Sequence, residues 1–149
     1  MKHHEYRYAI PNQELYDVGN WHSPYFFQAF FAARASLFES LNLTEDVIKT
    51  AGYAMVARHL ECDYFRPLLK GDVALIEIML ESIQQKHYET DSEGVRLASM
   101  AFTYAVYKEG DQTRKLHAKG RTFQALINRN TKKSAELPEW IKNLLLGYL

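Results

Sequence analysis

Between Glu14 and Arg34 the chain gathers most of the side chains that could do chemistry. Two acids, Glu14 and Asp17, flank Tyr16; Gly19, Asn20, His22, Ser23 and Tyr25 follow, and then the lone cation Arg34. A loop carboxylate can take a proton or order a water, whereas tyrosine, with an ordinary pKa near ~10, is a hydrogen-bond donor and a poor base at neutral pH. His22 titrates closest to neutrality and can act as general acid or base, or simply donate to a backbone carbonyl. Ser23 opens what reads as a helix. The backbone amides from Ser23 to Phe26 there lack intrahelical acceptors and favour negative charge, as an oxyanion site requires. Arg34 lies in an otherwise apolar run, where an unpaired charge is costly. It therefore meets a cavity or a partner: Asp17, Glu14 or a neighbouring subunit. His59 and Cys62 have no second reactive group beside them and read as structural residues.

These candidates depend on the elements that hold them. Pro24 is suited to the first helical position, because it has no amide to leave unpaired, and Ser23 before it is suited to an N-cap. Phe26, Phe27, Phe30, Phe31, Ala33, Leu37, Phe38 and Leu41 recur at spacings of three and four, predicting a helix with a wide apolar arc, ended by Asn42 as C-cap. Thr44, Glu45 and Asp46 predict a short helix to Thr50, closed by Gly52. Before the loop, Glu5–Pro11 alternates as a half-buried strand. After it the chain is mostly strand. Tyr53–Phe65 places Tyr53, Met55, Ala57, His59, Glu61 and Asp63 on one side, with Cys62 on the other. Val73–Ile83 is apolar enough to be central, and Val95–Lys108 puts Met100, Phe102, Tyr104 and Val106 on one face. Glu109-Gly110-Asp111 signals a hairpin, Thr113–Asn128 is its partner strand with Gly120 as a bulge or bend, and Gln84–Gly94 reads as turn, with Lys86–Thr90 a possible strand extension. Pro138 starts a short amphipathic helix. Strands joined by tight turns pair antiparallel, and such a sheet buries one face, here under the aromatic helix. The fold class is therefore α+β.

Length and composition bound the function. A chain of 149 residues suits one domain, 1–149, with a substantial core. Formal net charge is +0, which argues against nucleic acid as partner and is compatible with self-association. The single cysteine allows no intrachain disulfide, so a reducing compartment, the cytoplasm, is expected. No apolar run reaches the ~20 residues that span a membrane, and MKHHEYRYAIP lacks a signal-peptide core.

The Gly-Asn turn before the helix, ECDYFRPLLKGD at 61–72, HAKGRTFQALINRN at 117–130 and PEW at 138–140 together resemble the hot-dog-fold acyl thioesterases of the hydroxybenzoyl-CoA thioesterase type. Glu5-Tyr6-Arg7, Glu14, Gly19-Asn20 and Arg34 are most similar to the thioesterases of enediyne polyketide pathways. The resemblance implies a curved antiparallel sheet wrapped around one long central helix, plus the C-terminal helix. It implies a homodimer or homotetramer with sites between subunits. It also implies substrates that are acyl groups on coenzyme A or on an acyl carrier protein, with no metal or organic cofactor.

Thioester hydrolysis needs a polarised carbonyl, an activated water and a tunnel for the pantetheine arm. The family's acid just ahead of the turn glycine is replaced here by Tyr16, and its helical acid by Phe31-Ala32-Ala33. The resemblance therefore assigns catalysis to Tyr16, Asn20 and Arg34, with Asp17 available as base through a one-residue slip of the loop, and substrate contacts to Glu14, Gly19, His22, Ser23 and Tyr25. Arg58, Arg66, Lys70, Lys119 and Arg121 are candidates for coenzyme A phosphates or an acidic carrier protein. The missing acids keep two alternatives open: a hot-dog module that binds acyl thioesters without turnover, and a hydratase or dehydratase.

Overall fold

Alternation along the chain becomes one antiparallel sheet in the computed structural model, which describes residues 2–83 and 99–149. The elements are β1 (His4–Ala9), α1 (Pro24–Ser40), α2 (Glu45–Thr50), β2 (Tyr53–Tyr64), β3 (Val73–Ile83), β4 (Met100–Lys108), β5 (Ala118–Asn128), β6 (Ser134–Ala135) and α3 (Glu139–Leu145). The strand order is β1-β3-β4-β5-β2, with the short β6 pairing β5. All pairings are antiparallel. β3 and β4 are interior, which matches their apolar sequences; β2 and β1 are the ends of the row. Helices are few: α1 has 17 residues, α2 has 6 and α3 has 7. Among the described residues no helix is long and apolar enough to cross a membrane. The expected turn at 84–94, the possible strand extension within it and the first four residues of the expected strand from Val95 lie outside the described residues.

The core sits between α1 and the sheet. Phe26, Ala29, Phe30, Ala33, Leu37 and Phe38 form the buried stripe of α1. Below it, Met100, Phe102, Tyr104 and Val106 are buried on the predicted face of β4. The Phe30 ring stacks on Tyr104 with centroids 4.4 Å apart, and Phe38 meets Phe102 edge-on at 5.8 Å. Phe27 and Phe31 are only half-buried, so the wide apolar arc is covered by this chain on one side.

Several expectations change in detail. Ser23 already has helical φ and ψ of −51° and −42°, and its side chain makes no capping bond. Proline at N1 fixes the helix entry without it. The C-cap is Leu41, and Asn42 follows it in the left-handed region at φ 59°. The Leu43 amide donates to Phe38 O and the Asn42 amide to Glu39 O, the paired bonds of a Schellman ending, with Leu43 buried as its apolar anchor. Gly120 is in regular register with both neighbours, so it is not a bulge. A Cβ there would lie 2.2 Å from Phe30 Cε2, so glycine is required by the helix pressing onto the sheet. The bulge lies instead in β2, between Ala57 and His59. An extra residue flips the faces beyond it, so Cys62 packs against the core on the same side as Tyr53 and Met55, not the opposite side. The partner strand of the hairpin begins at Ala118 rather than Thr113, because Asp111 accepts from Thr113 N and Oγ1 and holds that stretch in a turn.

Candidate functional site

The loop from Asn12 to His22 is organised by Glu14. A short 3₁₀ turn at Asn12–Glu14 buries the carboxylate, where Tyr8 Oη donates to both its oxygens at 2.9 and 2.7 Å and Trp21 Nε1 donates at 3.0 Å. Burial, then the bond to Glu14, raises the Tyr8 hydroxyl pKa, so it stays a donor. The Glu14 carbonyl also accepts the His22 amide. Glu14 is thus a structural post of the loop and not a free base.

Beyond it the chain folds back at Tyr16–Asn20: the Tyr16 amide donates to Asn20 O and the Gly19 amide to Tyr16 O. Gly19 takes φ 89°, where a side chain would be strained. The Lys70 amide ties this turn to the neighbouring loop through Gly19 O. Asp17 and Val18 project into solvent. Tyr16 is 51% exposed and stacks on His22 at 5.0 Å, with Tyr25 beyond it at 6.2 Å.

Asn20 and Ser23 face a different way, into a groove of about 230 Å³ that also takes in Phe26, Tyr64 and Arg66. Tyr64 Oη donates to the Ser23 carbonyl at 3.2 Å, and its ring meets Phe26 edge-on at 5.0 Å. Burial pushes the Tyr64 hydroxyl up to about 12, which keeps it neutral. Among the described residues no carboxylate lines this groove. At the helix start the Tyr25 amide is bonded to His22 O and the Phe26 amide to Ser23 O. Of the expected oxyanion donors, the Tyr25 and Phe26 amides are therefore engaged locally.

Arg34 lies elsewhere. At ~1.5 Å per residue it is three turns along α1 from Ser23, in a second cavity of about 420 Å³ between α1, α2 and the start of β2. Phe38, Leu43, Ile48 and Met55 give that cavity an apolar floor, while Glu39, Glu45 and Arg129 also line it. Arg34 Nη1 is buried with no hydrogen-bond partner among the described residues. The guanidinium lies 5.0 Å from the Phe31 ring centre. Burial lowers the Arg34 pKa, and nearby Tyr104 opposes that shift. No ion pair to Asp17, Glu14 or any other described acid was found for it. One chain therefore brings Asn20 and Ser23 together with Tyr64, and Tyr16 with His22 and Tyr25, but leaves Arg34 apart from both.

Of the other cations, Arg66 lines the Asn20 groove. Arg121 is tied to Glu81 at 2.6 Å and Glu61 at 3.6 Å, beside Lys119. Arg58 reaches Ser134 Oγ at 3.4 Å. The Cys62 thiol is pushed up to about 11 by burial, which keeps it a thiol. His59 lies 3.5 Å from Glu61 on the exposed part of β2. Three residues were not singled out from sequence: Tyr64, Glu39 and Arg129. Glu39 lies five positions after Arg34 on a helix, a spacing that could have been noticed. Tyr64 and Arg129 reach their cavities only through long-range packing.

The thioesterase-like superfamily model matches residues 16–145. Comparison with curated protein sequences finds no match. Among solved structures, the chain is similar to a 1,4-dihydroxy-2-naphthoyl-CoA thioesterase from Synechocystis, with TM-score 0.79, 19% identity and coverage of 97% of this chain and 96% of that one. It is similar to a hypothetical Staphylococcus aureus protein in complex with CoA, with TM-score 0.82, 14% identity and coverage of 99% and 84%. It is also similar to the dynemicin thioesterase, with TM-score 0.81, 16% identity and coverage of 99% and 97%. At these identities the likeness to each structure is one of fold.

Proposed function

The chain belongs to the thioesterase-like superfamily, and we propose that it hydrolyses an acyl thioester of coenzyme A or of a carrier-protein phosphopantetheine. The observation that carries this reading is Arg34: a guanidinium with a buried, unpartnered Nη1 on the wall of a largely apolar cavity. Such a donor lacks an acceptor until a ligand supplies one, and a thioester carbonyl is an acceptor whose charge grows in the transition state. Water adds to the carbonyl carbon, the oxyanion is held by donors, and collapse expels the thiol, which takes the proton that water loses. Asn20, lining its groove, orients the water or the thioester; Tyr16 contributes as a donor, and exposed Asp17, on the same turn, relays the proton. Because Asn20 and Arg34 occupy separate cavities of one chain, the site is completed between two copies, with the Asn20 loop of one against the Arg34 wall of the other. In this arrangement α1 is the central helix about which the sheet curls.

The test is thiol release from a panel of acyl-CoA and acyl-pantetheine thioesters. Arg34→Ala and Asn20→Ala should each lower kcat by about 10²–10³, the usual effect of deleting one oxyanion donor. Undiminished turnover in either variant removes that residue from the site. A second reading, binding without turnover, is favoured by one observation: the Asn20 groove contains no described carboxylate, and Glu14 is locked to Tyr8 and Trp21. Tight acyl-CoA binding with no thiol released from any of the panel would establish it.

A further inference from the structure

The Arg34 cavity holds a second cation that the proposed chemistry does not use. Arg129, the residue after β5, also lines it. It is fixed in place: its amide donates to Gly52 O, and its Nε donates to Tyr53 O at 2.8 Å. Those bonds orient the guanidinium while leaving its two terminal nitrogens without a described acceptor. No described carboxylate pairs with Arg129 within ion-pair distance. The two arginines share the cavity with an apolar lining of Phe38, Leu43, Ile48 and Met55. The acids that reach the same cavity, Glu39 and Glu45, are solvent-exposed, so water screens them. The cavity thus offers two cations and an apolar lining.

A plain hydrocarbon chain would match only the lining. We propose that Arg129 is a specificity-determining residue, and that the acyl group this site takes carries a carboxylate remote from the thioester. The inference rests on the thioesterase reading for Arg34, and it names the substrate class. The planar guanidinium fork is suited to two parallel bonds to a carboxylate. The intervening methylenes or ring lie against the apolar lining. A site built this way favours the substrate that carries the acceptor, because only that substrate gives the Arg129 fork a partner when it displaces water from it.

The experiment pairs thioesters of dicarboxylic acids of about six to ten carbons with monocarboxylic thioesters of the same length, a size range suited to a cavity of this volume. The wild type should favour the carboxylated member by at least about tenfold in kcat/KM. In Arg129→Gln the ratio should fall to about one, and Arg129→Lys should keep part of it. Melting curves followed by circular dichroism confirm that both variants fold, since Arg129 also holds the Tyr53 carbonyl. Equal kcat/KM for both members in the wild type, or the same ratio in wild type and Arg129→Gln, overturns the proposal. Calorimetry with the free diacids and monoacids separates it from the hydrolase reading: diacid binding that Arg129→Gln abolishes, in a protein that releases no thiol, supports this inference and sinks the other. Absence of any preference for the diacid in binding, with thiol release intact, does the reverse.

Discussion

At the scale of single residues, the loop acids divide according to what surrounds them. Glu14 accepts three hydrogen bonds from Tyr8 and Trp21, and with them it joins β1 to the loop and to the helix entry. Glu14→Ala leaves the buried Trp21 Nε1–H and the half-buried Tyr8 hydroxyl without their acceptor, so it should lower unfolding free energy by about 1–3 kcal/mol. Glu14→Gln keeps one amide oxygen as acceptor and should lose less. Urea denaturation of the three proteins checks the order; equal stability of Glu14→Ala and wild type would show the carboxylate to be dispensable. The sequence marks Glu14 as a candidate, but its role is hidden there because Tyr8 and Trp21 meet it only through the fold. Arg34 was more legible. A charge inside an apolar helix must meet a partner or a cavity, and burial physics alone narrows the choice to those two. Which of the two holds depends on α2 and β2, which no local spacing reveals.

At the scale of elements, most of the fold follows from periodicity. Alternation marks β1, β3 and β4, and the spacing of three and four marks α1. The positive-φ glycines at 19, 52, 71 and 110 stand at turns. What alternation cannot show is an extra residue in a strand: the bulge after Ala57 reverses every later side chain of β2, so Cys62 appears on the wrong face until the register with β5 is known. Gly120 is the same lesson in packing. Its sequence context suggests a bend, while the cause is a ring from α1 lying on the strand. Gly120→Ala should therefore destabilise by about 1–3 kcal/mol through overpacking. Phe30→Leu alone should also destabilise, by leaving space over Tyr104. The double variant should recover part of the Gly120→Ala loss, because the shorter side chain yields room for the new methyl group. A double-mutant cycle in urea measures that coupling. Additive losses would mean that Phe30 moves aside freely and does not fix the glycine.

At the scale of the whole molecule, β2 is the element that one chain leaves unfinished. It ends the strand row, it is twelve residues long, and among the described residues only β5 pairs it. Its exposed apolar side chains include Val56 at 37%, Leu60 at 38% and Tyr64 at 44%. A long edge with no second described neighbour is a template for another strand, and a protein with formal net charge +0 has little repulsion to prevent it. The same pairing would bring a second copy beside the Asn20 groove, since Tyr64 belongs to both the edge strand and the groove. Edge pairing and a shared Asn20–Arg34 site are thereby joined in one test. If the Asn20 loop of one protomer works with Arg34 of its partner, Asn20→Ala and Arg34→Ala are each inactive alone, yet a mixed dimer holds one site with both residues intact. Random exchange makes half the dimers mixed, so mixing the two inactive proteins should restore about a quarter of wild-type thiol release. Leu60→Asp in both should abolish that recovery and shift the species seen by light scattering towards monomer. Were Asn20 and Arg34 to act within one chain, every site in every mixed dimer would lack one of them, and mixing would restore nothing.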